Sequence, residues 1–253
     1  MNRNTFLQPW TNQRPHSWWQ SLLVIAIFFW LMIQANAWVV LRSYDQLGLT
    51  EGSINYMELL AHNQWVALIL QLLLIVGLLF GLHRLNLKVF TKRWFNRKDF
   101  NILLRTFAYV FVARMIYSSI VMVYFPDYQA PDNQQAIEGM FGHFHWFYLF
   151  VTIVIAAPLY EEILLRGLIM KYIFGKYPVL GALAASIAFT LMHSPQGFLD
   201  FMTYYLLSAG LTFVYWRTRK LEYAILWHLF NNASGYCVLL LLEKFGQYLL
   251  IPV

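Results

Sequence analysis

At 253 residues, 60% of them hydrophobic, 19% aromatic and only 12% charged, and with a mean hydropathy of +0.52, the chain has too little polar surface for a soluble globular domain and reads as a membrane protein. Its net charge of +6 does not point to nucleic acid, because the basic residues are confined to short segments between apolar runs, where they encode topology. No linker rich in Gly, Ser or Pro, no low-complexity tract and no fixed-period repeat divides residues 1–253, so a single membrane domain is the simplest organisation.

A spanning helix needs about 20 mostly apolar residues. The sequence predicts seven of them, at 19–41, 65–85, 100–125, 145–170, 178–197, 198–216 and 221–242, giving an all-α polytopic protein. The apolar tail from Tyr248 to Val253 is too short to span alone and leaves room for an eighth element. Ala35-Asn36-Ala37 resembles a signal-peptidase site after an apolar stretch, but the apolar run continues through Trp38, Val39, Val40 and Leu41 to a full spanning length. The lone Cys237 lies in an apolar run and reads as a free core thiol that forms no intrachain disulfide.

The segments between the predicted helices alternate in sign. Arg3 and Arg14 precede the first helix, and Asp45, Glu51 and Glu58 follow it with Arg42. Arg84, Lys88, Lys92, Arg93, Arg97 and Lys98 separate the second and third; only Asp127, Asp132 and Glu138 separate the third and fourth. Lys171 and Lys176, then Asp200, then Arg217, Arg219 and Lys220 continue the pattern. The positive-inside rule then places the N-terminus in the cytoplasm and the C-terminus outside, in a multi-pass protein of the cell membrane. Trp18, Trp19, Trp38, Trp65, Trp146 and Trp216 fall near the predicted interfaces, and His16, His62, His83, His143 and His145 read as interfacial too.

A charged side chain at the centre of a spanning helix costs about 2.5–3.5 kcal/mol on insertion scales, so each needs a partner, a cavity or a task. The fourth helix carries Glu161, Glu162 and Arg166. Glu162 and Arg166 stand at i and i+4, the favourable orientation for a same-face ion pair. Glu161 points about 100° away and, without that partner, is a candidate general base. His193 is a polar interruption of the apolar fifth helix. His228 and Asn232 project from one face of the seventh. Counted at 1.5 Å per residue, Glu161 and His228 lie about 15 and 12 Å from the basic side, whereas His193 comes out at about 25 Å unless its helix is tilted or begins late. Arg114, midway along the third helix, is a possible counter-ion for either glutamate.

The ordered series Glu161-Glu162-x-x-x-Arg166, Phe189-x-x-x-His193 and His228-x-x-x-Asn232 resembles the CPBP family. These are the CAAX-processing and bacteriocin-processing or immunity proteins, also called Abi, and they include the type II CAAX prenyl endopeptidases. The resemblance covers roughly 145–240 and implies an intramembrane endopeptidase with its catalytic cavity inside the helix bundle. Carried over residue by residue, Glu161 is the general base and His193 helps it activate the attacking water. His228 and Asn232 stabilise the oxyanion, and Glu162 and Arg166 complete the first motif in a positioning role. Glu161, His193 and His228 could instead ligate zinc; no H-E-x-x-H is present, and the direct glutamate–histidine route is the favoured one. The partners implied are membrane lipid and a membrane-embedded or membrane-anchored protein or peptide, CAAX-like or bacteriocin-related. Two other classes are compatible with buried polar residues. One is a non-catalytic bacteriocin self-immunity or binding protein, and the other is an ion-coupled transporter, which lacks here the interrupted helix pairs of an inverted repeat.

Overall fold

The computed structural model describes residues 9–10, 17–47, 56–92 and 94–249. Arg3, Arg14, His16, Glu51, Arg93 and the last four residues of the apolar tail lie outside the described residues. Among the described residues there are nine helices and no strand: α1 (Ser17–Leu47), α2 (Tyr56–His62), α3 (Gln64–Arg84), α4 (Arg97–Tyr124), α5 (Asp132–Met140), α6 (Trp146–Ile173), α7 (Pro178–Met192), α8 (Phe198–Thr218) and α9 (Leu221–Leu249). Five of them, α1, α3, α4, α6 and α9 up to Phe245, are long and apolar enough to cross a membrane. The other two expected spans fall short by that measure: α7 is apolar but has only 15 residues, and α8 carries Asp200 and Arg217 within its 21.

The physical reason for the short α7 lies in the loop chemistry. Pro178 starts it at N1, where the missing N–H would be unpaired in any case. Ser194 adopts a left-handed backbone, φ 50°, ahead of Pro195, which disfavours helical geometry in the residue before it. The helix therefore stops at Met192 rather than running to 197, and the late start that would have raised His193 toward Glu161 is not found. Around Ala35-Asn36-Ala37 α1 is unbroken, with Asn36 Nδ2 donating to Met32 O at 3.0 Å. Cys237 is exposed, not a core thiol; it occupies an outward face of α9.

The chain resolves into two compact units, and α1, α6 and α9 each run from one to the other. The first unit comprises residues up to Leu22, Leu87–Gln135 and Leu159–His228. Here α4 packs on α8, α8 on α7, and α7 on the second half of α6, around Leu103, Ile163, Phe189, Leu211 and Trp227, each 1% exposed or less. Gly181 lets α7 approach α6 closely. A Cβ there would lie 2.9 Å from Phe174 Cβ and 3.1 Å from the Met170 carbonyl oxygen. Trp10 closes one end of this unit: its backbone N–H donates to Gly175 O at 2.9 Å, its ring stacks on Tyr215, and the Arg219 guanidinium lies 4.0 Å from its centroid.

The second unit comprises Leu23–Asn86, Ala136–Pro158 and Leu229 onward. Leu68, Phe141, Phe144, Leu149 and Tyr236 form its core. Ser43 and Asn63 tie the end of α1 to α2, through Ser43 Oγ to Leu59 O at 2.7 Å and Asn63 Nδ2 to Ser43 Oγ at 2.8 Å. In both units large apolar side chains face outward, among them Ile33, Phe80, Tyr109 and Met122. Such a surface suits lipid, where the backbone is satisfied inside each helix.

Candidate functional site

Glu161 and Glu162 close the α-helical stretch Ala157–Glu162 of α6, which lies between two π-helical stretches, Phe150–Ala156 and Ile163–Ile173. The wider turns show in Ala157 N–H bonding Thr152 O, and Phe174 N–H bonding Ile169 O at 3.0 Å. Such i→i+5 turns are rare and concentrate at functional sites.

The expected Glu162–Arg166 pair is present: Arg166 Nη1 donates to Glu162 Oε1 at 3.0 Å, with both side chains fully buried. Arg166 Nη2 goes to α8, donating to Ser208 O, Ser208 Oγ and Thr212 Oγ1 at 3.0, 2.7 and 3.2 Å. Thr212 in turn meets Ser186 Oγ of α7 at 2.9 Å. A guanidinium can be buried here because most of its donors are met by acceptors.

The same Glu162 oxygen also lies 2.9 Å from His228 Nδ1. A carboxylate already receiving Arg166 acts as an acceptor, so Nδ1 carries the proton and Nε2 is left to face outward from the pair. Nε2 lies 4.0 Å from Glu161 Oε2. That is too long for a hydrogen bond but short enough for a third atom bonded to both. Glu161 Oε2 is itself buried with no hydrogen-bond partner among the described residues.

His193 is the residue that caps α7, and its Nδ1 lies 2.8 Å from Phe189 O. A carbonyl only accepts, so this histidine too carries a proton on Nδ1, and in its neutral form Nε2 holds the lone pair. The charges that act on Glu161 are those of His228, His193, Glu162 and Arg166. Arg114 of α4 acts on Tyr204 of α8. The first unit thus gathers five of the six expected site residues: Glu161, Glu162, Arg166, His193 and His228.

Asn232 belongs to the second unit, one helical turn beyond His228 on α9. Its Nδ2 donates to Ile153 O at 2.9 Å. Pro158 accounts for that bond. Ala157 N–H is taken by Thr152 O, and residue 158 has no N–H to give, so the Ile153 carbonyl has lost its partner within α6. Asn232 supplies it, a role that spacing on α9 alone does not disclose. An amide nitrogen carries a second hydrogen beyond the one used here.

A catalytic zinc needs three protein ligands at about 2.0–2.3 Å with a position left open. Among the described residues no group of three or more His, Cys, Asp or Glu side chains is arranged in that way.

Residues 143–234 match the family model described as type II CAAX prenyl endopeptidase Rce1-like, and that segment contains every position of the three sequence motifs. The UPF0177 protein YajF of Lactococcus lactis subsp. lactis (strain IL1403) is 35% identical over 86 residues, 34% of this chain and 41% of that protein. The chain thus spans about two fifths of the length of the curated relative it matches. No solved structure gives a significant match.

Proposed function

We propose that the chain is an intramembrane endopeptidase that cleaves membrane-embedded or membrane-anchored peptides, a reading supported by the match of residues 143–234 to the Rce1-like family model. The observation that carries this reading is the buried Glu161 oxygen that has no hydrogen-bond partner among the described residues and faces His228 Nε2 across 4.0 Å. Glu161 takes a proton from a water whose oxygen attacks the substrate carbonyl carbon, with His193 Nε2 as the second acceptor that orients the water. The new C–O bond leaves an oxyanion. His228, when it carries a proton on Nε2, donates to it. Glu161 then passes its proton to the leaving nitrogen as the C–N bond breaks, giving a carboxylic acid and an amine. Glu162 and Arg166 hold His228 in place and touch no substrate.

The N-terminus lies in the cytoplasm and the host bilayer is the cell membrane, in keeping with the basic and acidic connecting segments. The family description makes a prenylated C-terminal peptide the first substrate to try, alongside unprenylated membrane peptides of bacteriocin type. In detergent, wild-type protein is expected to cleave at least one such peptide, and Glu161→Gln, matched in thermal unfolding, none of them. Chelator is expected to leave the rate unchanged. Cleavage by Glu161→Gln at the wild-type rate would sink the assignment, and loss of cleavage with chelator would replace the direct route by a metal.

A further inference from the structure

His193 stands where a side chain is hard to hold. It is the first residue past α7, and the backbone turns left-handed at Ser194 immediately after it. Beyond the Nδ1 bond to Phe189 O, its ring lies 4.5 Å, centroid to centroid, from the rings of both Phe189 and Tyr204, inclined by 33° and 28°. Tyr204 comes from α8 and is buried; its hydroxyl, with Asn133 close by, makes no hydrogen bond of good geometry among the described residues. The ring face is what it contributes.

One turn earlier on α8 stands Asp200, also buried. Its Oδ2 accepts the Gln196 N–H at 2.9 Å, and its Oδ1 accepts the Tyr128 hydroxyl at 2.6 Å. The acid sits three residues after the N-cap Gly197 and reaches back past it, a variant of the capping box. Burial, then the bond to Asp200, raises Tyr128 above the ordinary phenol range, so it remains a donor at any working pH. Tyr117 OH adds a bond to Leu199 O at 2.8 Å. The loop that starts at His193 is thereby tied at its far end to α8, to α4 and to the turn after α4.

We propose that Asp200 and Tyr204 are positioning residues for His193: Asp200 closes the loop that carries it, and Tyr204 fixes the plane of its ring. Together they hold one tautomer and one direction for Nε2. The proposal rests on the role given to His193 above, but its first test does not need a substrate.

That test is nitrogen NMR of protein labelled with ¹⁵N-histidine in detergent, with His193 assigned by His193→Gln. Wild type is expected to show His193 as a single tautomer protonated on Nδ1. Tyr204→Leu and Asp200→Ala are each expected to convert it to an average of both tautomers, while Tyr204→Phe, which keeps the ring, retains the single form. The His228 signal, held by Glu162, reports whether the fold survives. If either variant disturbs His228, Tyr204→Met and Asp200→Asn are read by the same criterion. An unchanged His193 tautomer beside an unchanged His228 overturns the proposal, as does a Tyr204→Phe effect equal to that of Tyr204→Leu. On a cleavable peptide, the disruptive variants should lower kcat roughly 10-fold to 100-fold at unchanged KM, the scale of a catalytic group misplaced by about an ångström. If Glu161→Gln proves active, the protease reading fails while the tautomer measurement still decides the clamp.

Discussion

Arg166 and Glu162 are both fully buried, and the Glu162 oxygen that takes Arg166 also takes His228. Removing Arg166 therefore leaves a carboxylate uncompensated in an apolar interior. Arg166→Met is expected to destabilise the protein by about 3–5 kcal/mol, seen as a fall in thermal unfolding temperature in detergent. Adding Glu162→Gln should restore part of that loss, giving a non-additive double-mutant cycle; strict additivity would mean that the two side chains do not share a charge. A second test concerns Asn232. Asn232→Ala orphans the Ile153 carbonyl and should cost about 1–3 kcal/mol, and less in a Pro158→Ala background, where residue 158 regains an N–H that can reach Ile153 O. Equal costs in both backgrounds would refute the link between Pro158 and Asn232. The ion pair was readable in the sequence because i and i+4 are fixed by helix geometry alone. The His228–Glu162 bond was not, because it joins residues 66 positions apart, nor was the bond from Asn232, which depends on a hydrogen-bond shift inside α6.

Helices were legible wherever an apolar run exceeds the bilayer thickness, which is why the limits of α1, α3, α4, α6 and α9 lie within a few residues of expectation, save where α1 and α9 run on past theirs. The end of α7 was misplaced because Leu191, Met192 and Phe198 keep the hydropathy high across a loop whose Ser-Pro pair breaks the backbone. The short α2 and α5 carry too few apolar residues to signal themselves. What brings α6 and α7 together is also local. At Gly181 a methyl group would meet a backbone carbonyl that cannot rotate away, so Gly181→Ala should cost about 1–3 kcal/mol by overpacking. Gly77, inside α3 with open space around its Cβ direction, is the contrast. There alanine should stabilise by up to about 1 kcal/mol through helix propensity. Unfolding temperatures of the two single variants in one detergent check both signs, and a neutral Gly181→Ala would show that the helices can separate without loss.

At the scale of the molecule, the alternating charge of the connections is the feature most open to a sequence reading, because the bilayer imposes it segment by segment. The partition into two units is not, since it depends on which helices touch. Within the first unit the two ends of α4 are chemically distinct. Near Arg97, Lys220 pairs with Asp99 at 2.8 Å and Lys171 donates to the Lys88 carbonyl. Beyond Tyr124, Tyr128 binds Asp200, and Asp127 is exposed. If the basic end faces the cytoplasm, a cysteine at position 98 should resist a membrane-impermeant thiol reagent applied to intact cells, while one at position 127 should react. Cys237 is exposed and must first be replaced, by Cys237→Ser, so that Lys98→Cys and Asp127→Cys each carry the single thiol. Permeabilised cells should label both variants, which separates sidedness from burial. The reverse pattern would invert the orientation and put the end of α6 that carries Lys171 on the outer side. Labelling of both sites in intact cells would mean that α4 does not cross the membrane at all.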